Sequence, residues 1–203
     1  MADFISRGFT GRRRPPEELA RRLPPGQYYE KGFPVLSAGP TPKVKLEEWR
    51  FVVDGLVASP REWTWEDVGR LPFEDVPCDI HRVTKWSKLD TRFGGVSLDH
   101  FWEAVKPLAA FAMARSYGGY TTNLPMDDLT GGKAWLVWEH EGDPLPPDHG
   151  GPVRLLVPHL YLWKSAKWIA GIRVQKEDYP GFWEGGGYHN RGDPWREQRY
   201  WND

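Results

Sequence analysis

Proline and glycine interrupt this chain 19 and 22 times in 203 residues. Regular structure must therefore come in short pieces joined by loops. Twelve tryptophans accompany them. Trp brings large rigid surface and Gly lets backbone approach closely, so the mixture suits a loop-rich domain that frames a cavity. The competing reading is that loops with little regular structure simply need aromatic packing.

The length fits one domain of ordinary size. No apolar stretch approaches the ~20 residues that span a bilayer, so no membrane association is expected. Lys and Arg total 27 against 28 for Asp and Glu. No global field draws the protein to nucleic acid or anionic lipid, and an anion site has to be a local pocket. Cys78 is the only cysteine, which excludes an internal disulfide and suits a reducing compartment. Arg12, Arg13 and Arg14 raise the question of a twin-arginine export signal. The segment that follows, PPEELARRLPPG, is charged and proline-bounded rather than apolar, so a cytoplasmic location is expected.

Residues 1–26 read as a basic, proline-punctuated arm, with Pro15 and Pro16 opening a short helix that Pro24 and Pro25 end. Residues 27–203 read as the domain proper, beginning with an extended, polyproline-like stretch to Pro42 that lies on the surface or along a cleft. Strands are expected on either side of Asp54-Gly55, in RFVV and LVA. Thr64 with Asp67 three residues on is a helix-start signature. VPCDIHRVT reads as a strand from Val76 to Thr84. Ser97 can cap a helix whose Leu98, Phe101, Trp102 and Val105 repeat at helical spacing, and Pro107 stops it. The second half is strand-dominated, in FAMARSYGGYTT, AWLVWEHEG, VRLLVP and KWIAGIRVQ. Strands and short helices in no regular alternation argue for an α+β domain with mixed sheets and many loops. The aromatic tail from Tyr179 is expected to pack back over the domain.

Two constellations carry chemistry. In HGGPVRLLVP, Gly150 and Gly151 permit close backbone approach, and Arg154 offers a bidentate fork for an oxyanion. Ten residues later Lys164, Ser165 and Lys167 place two ammonium groups and a hydroxyl between Trp163 and Trp168, a pattern that suits a compact phosphate site; solvated surface lysines are the alternative. In CDIHRVTKWSKLD, Cys78 and His81 resemble half a metal site. A structural zinc site needs paired ligand clusters, though, and there is no second cysteine, so no metal ligands are assigned.

The blocks DIHRVTKWSKLD, GYTTNLPMDDL, HGGPVRLLVPHLYLWKSAKW and GFWEGGGYH, in that order, resemble the molybdopterin-binding sulfite oxidase family. The likeness runs from about Phe33 to the C-terminus and is nearest to small bacterial proteins made of the cofactor domain alone. It implies the family's α+β fold and a pterin cofactor, molybdopterin, with one terminal phosphate and two dithiolene sulfurs that chelate molybdenum. His81, His149 and Arg154 would then hold the pterin, with Lys164, Ser165 and Lys167 around the phosphate. Thr121, Thr122, Asn123 and Asp128 would border the cofactor, and Ser37 to Pro40 would line the entrance. The implied activity is oxygen-atom transfer to or from a small oxyanion, with a separate electron-transfer partner.

One position departs from the family pattern. Where DIHC carries a cysteine whose thiolate binds molybdenum, this chain has Arg82. Guanidinium stays protonated and offers no lone pair to a metal. Cys78 lies about 13 Å away along an ideal strand. Three readings of Arg82 stand: it points away from the cofactor, it takes the metal's place and attracts an anion such as phosphate or an unmetallated pterin, or it pairs with Asp79 or another carboxylate. The chain is accordingly either an oxidoreductase or a non-catalytic protein that uses the pocket for a phosphate-bearing ligand. A partner-binding role for the aromatic tail is a third possibility.

Overall fold

A computed structural model describes residues 17–203. Arg12 to Arg14 and the Pro15-Pro16 helix start lie outside those residues. Eleven strands form two mixed sheets among the described residues. The first contains β1 (Tyr28–Tyr29), β4 (Glu74–His81), β5 (Trp86–Ser97), β8 (Trp135–His140), β9 (Asp143–Pro144) and β10 (Arg154–Leu156). The second runs β3 (Arg61–Thr64), β2 (Arg50–Gly55), β11 (Ile169–Gln175), β6 (Phe111–Ser116), β7 (Thr121–Pro125). The helices are short: α1 (Glu17–Ala20), α2 (Trp65–Val68), α3 (Asp99–Val105) and α4 (Phe182–Gly185). The expected α+β class is what the chain adopts.

Period-two alternation places Phe51 and Val53 of β2 and Ala112 and Ala114 of β6 on the inner face of the second sheet. They meet Val96, Leu136 and Leu155 of the first sheet, with Phe101, Trp102 and Val105 of α3 alongside. The neighbours Val137 and Leu156 point the other way, into a smaller cluster with Val76, Ile80, Trp86 and Phe93. The first sheet is thus buried on both faces, and its strands read as nearly continuous apolar runs. β11 lies parallel to β2, and the approach is tight: a Cβ on Gly171 would sit 2.3 Å from the Val52 carbonyl oxygen.

Thr64 and Asp67 form the expected capping box. The Thr64 Oγ1 accepts from the Asp67 amide at 3.2 Å, and the Asp67 carboxylate accepts from the Thr64 amide at 3.0 Å. Ser97 acts one residue earlier than a standard cap. It ends β5, and its Oγ accepts from the Asp99 amide at 3.2 Å.

Two local expectations shift. The partner of β2 is β3, not LVA, because the Leu56 amide turns away to bond the Val174 carbonyl and Val57 bridges Pro107. The strand expected to reach Thr84 ends at His81. Residues 82–85 form a tight turn, closed by the Arg82 amide on the Trp86 carbonyl, with Lys85 at a φ of 71°. The chain then returns as β5, which the sequence pattern hides. Its register slips beside Asp90 (φ 54°) and again at Gly94/Gly95, so no clean alternation survives.

The tail packs back as expected. The Tyr161 amide bonds the Gly192 carbonyl, and Arg199 reaches the Pro25 carbonyl at 3.1 Å. Arg22 fastens the N-terminal segment to the β4–β5 hairpin by pairing with both Asp79 and Asp90. No helix among the described residues is long and apolar enough to cross a membrane.

Candidate functional site

The β4–β5 turn, the β6–β7 turn, the start of β10, the 3-10 turn before β11 and the tail converge on one cavity of about 480 Å3. Its walls are aromatic: Tyr120, Trp163, Trp168, Phe182, Trp183 and Tyr188. Residues 36–42 form its outer edge. Among the described residues three cations line it, Arg82, Arg154 and Lys167, and no carboxylate does.

Arg154 is 1% exposed. Its guanidinium is held by backbone carbonyls: Nη1 donates to His149 O at 2.8 Å, Nη2 to Ser165 O at 2.8 Å and Nε to Leu155 O at 3.4 Å. Carbonyls orient the fork without cancelling its charge. Burial, together with repulsion from Arg82, pushes its pKa below the ordinary value. Lys167 donates to the carbonyls of Leu36 (2.8 Å) and Asp148 (2.5 Å). Burial first, then Arg154 and Arg82, lower its pKa to about 7, while Asp148 opposes the shift. Gly150 makes the crowding feasible. Its φ is 112°, and a Cβ there would lie 3.0 Å from Lys167 Cβ and 3.1 Å from Arg154 Cβ.

Arg82 is partly buried and makes no side-chain hydrogen bond or ion pair among the described residues. Its guanidinium carbon lies over the face of Trp86, 5.9 Å from the ring centroid. Asp79 does not neutralise it, since Arg22 holds that carboxylate at 2.6 Å. Arg82 points into the cavity because the turn takes it out of the strand, so strand parity with Cys78 does not govern it. Cys78 is not a lining residue, and burial, then Asp79 and Glu141, raise its thiol pKa to about 12.

Of the residues singled out in the sequence, Arg82, Arg154, Ser165 and Lys167 meet at the cavity, as do Ser37 to Pro40. The other candidate cofactor-binding residues, His81, Thr121, Thr122, Asn123, Asp128, His149 and Lys164, do not line it. Lys164 is fully buried and pairs with Glu184 at 2.6 Å, while also donating to Asn123 O at 2.6 Å. Glu184 Oε1 accepts from Thr122 Oγ1 (2.8 Å) and from Trp163 Nε1 (2.9 Å) as well. Asn123 reaches Asp178 at 2.6 Å. Asp128 binds His159 and Arg191. His81 is buried against Ser87 Oγ at 2.8 Å, and burial lowers its pKa to about 4. The His149 ring stacks on Phe33 at 4.1 Å. Glu184 had a signal in the sequence, the E of GFWE, but nothing local marks it as the partner of Lys164, 20 positions earlier in the chain.

The cavity suits the organic, phosphate-bearing part of a pterin cofactor: flat aromatic walls for the ring system, uncompensated cations for a phosphate. It offers no thiolate. Among the described residues no three His, Cys, Asp or Glu side chains cluster as metal ligands.

Residues 38–183 match the family described as oxidoreductase molybdopterin binding domain. The chain is 45% identical over 182 residues to the uncharacterized oxidoreductase YuiH of Bacillus subtilis, covering 88% of this chain and 92% of that one. It is 26% identical over 149 residues to a putative protein-methionine-sulfoxide reductase subunit, YedZ1, of Azospira oryzae, covering 72% of this chain and 56% of that one. Among solved structures, the sulfane dehydrogenase SoxCD of Paracoccus pantotrophus superimposes with a TM-score of 0.60 over 87% of this chain and 57% of that one, at 17% identity. That likeness concerns the fold. By the family match and the Bacillus relative, the chain belongs to the molybdopterin-binding oxidoreductase family.

Proposed function

We propose that the cavity binds a phosphorylated pterin of the molybdopterin class, and that Arg82, Arg154 and Lys167 supply its anion-binding charge. The observation that carries this reading is the set of three cations facing one cavity with no lining carboxylate among the described residues. Buried charge without a partner is costly, so such a site is stabilised by a ligand that brings negative charge with it. Arg154 is oriented by three carbonyls and Ser165 by the Val157 amide on its hydroxyl, so the cradle is built before the ligand arrives.

With its metal, such a cofactor supplies two-electron oxygen-atom exchange. Family membership supports an oxidoreductase acting on a small oxyanion. In that role Arg82 would hold the oxyanion by a charge-assisted fork rather than ligate the metal. A second reading is favoured by the same residue and by the excluded, high-pKa Cys78: a phosphate-bearing ligand is bound and no redox chemistry follows.

Protein purified from molybdate-fed cells tests both. Retained pterin, detected by fluorescence after oxidation, together with stoichiometric molybdenum and turnover of an oxyanion, supports the oxidoreductase. Pterin without molybdenum supports the binding protein, and Arg82→Cys should then gain metal. Neither pterin nor any affinity for inorganic phosphate or sulfate would overturn the site assignment.

A further inference from the structure

We propose that residues 34–43 form a strap across the cavity mouth, and that Lys167 latches it shut when the cavity holds an anion. The proposal rests on the anion-binding reading of the cavity and adds a moving part to it. The strap, PVLSAGPTPK, is seated at both ends. Phe33 stacks on His149 at 4.1 Å and packs edge-on against Trp86 and Phe93. Pro42 comes to rest by Gly118, and Val44 packs against the main core. Between these seats nearly every residue is exposed. Among the described residues the one hydrogen bond to positions 34–43 is from Lys167 Nζ to Leu36 O, at 2.8 Å.

That single bond comes from a residue of the cation cluster. An ammonium has three protons, and two of them go to Leu36 O and Asp148 O. One remains for a ligand in the cavity that Lys167 lines. With the cavity empty of anions, Arg82 and Arg154 work against the charge that makes the bond strong. An anion between the three groups reverses the sign of that field, keeps the ammonium charged and strengthens its hold on Leu36. Binding and closure therefore favour each other. The other end is coupled to the same loop, because His149, under Phe33, gives its carbonyl to Arg154.

A nitroxide at Ala38→Cys, on the full chain with Cys78→Ser, reads strap motion directly. With Lys167 present, sodium sulfate should immobilise the label relative to sodium chloride at equal ionic strength, by a severalfold longer rotational correlation time. Lys167→Met should leave the label mobile in both salts, and Lys167→Arg should restore part of the effect. Equal mobility in Lys167→Met and its parent would overturn the latch. Calorimetric sulfate titration of the same proteins separates the two ideas. Sulfate that binds without changing the label sinks the coupling and leaves the cavity reading intact. Sulfate that does not bind at all sinks the cavity reading and the coupling together, while the Lys167→Met comparison still decides whether this lysine holds the strap.

Discussion

Lys164 Nζ lies 2.6 Å from Glu184 Oε1, with both side chains wholly sequestered from solvent. The ammonium that sequence spacing assigns to a phosphate is thereby neutralised inside the wall. Removing one partner strands the other. Glu184→Leu should cost about 3–5 kcal/mol, and the double variant with Lys164→Met should regain much of it. Urea denaturation measures both, and sulfate affinity of the folded double variant should match the parent. A large loss of affinity there would return Lys164 to the site.

Arg82 has no compensating carboxylate among the described residues, so its removal should affect binding rather than folding. A hydrogen bond to a charged group contributes about 1.5–3 kcal/mol. Arg82→Gln should therefore weaken sulfate or phosphate binding at least about tenfold, with the urea midpoint unchanged or raised. Calorimetry on the two proteins decides it.

Lys167, near pH 7, makes anion binding pH-dependent. Its neighbours are Arg154 and Arg82, which lower its pKa, Asp148, which raises it, and the Trp168 ring at 5.5 Å. Sulfate is a dianion throughout this range, so a fall in its affinity between pH 6 and pH 8 reports the protein. Lys167→Arg should flatten that profile. Stability moves the opposite way. The folded pKa lies below the unfolded one, so the unfolded chain holds more protons between about pH 7 and the ordinary lysine value, and stability rises with pH there.

His81 titrates in the acid range. Its folded pKa of about 4 lies below the ordinary 6.5, so the unfolded state takes up a proton first as pH falls. Stability should decline between pH 6.5 and 4, by up to about 3 kcal/mol from this group. A urea series across that range should show a shallower slope for His81→Gln.

Gly150→Ala places a Cβ at a φ of 112° against Lys167 and Arg154. Destabilisation beyond about 1 kcal/mol is expected, with loss of sulfate affinity because both cations must move. Thermal unfolding and titration of the same sample test the pair of effects.

Local physics is legible without coordinates. The Thr64–Asp67 box and the Leu98/Phe101/Trp102/Val105 face each depend on residues within a few positions of one another. β5 escaped because its bulges destroy the alternation that marks a strand, and the 82–85 turn escaped with it.

The sequence by itself determined the class of fold, the family blocks and the balanced charge. Tertiary structure alone decided which cations remain uncompensated. Glu184 comes from 20 residues beyond Lys164 to neutralise it, and Arg22 reaches across 57 positions to occupy Asp79, leaving Arg82 without a carboxylate among the described residues. Whether a charge binds a ligand or a neighbour depends on which carboxylate the fold brings within about 4 Å, and sequence distance carries no information about that.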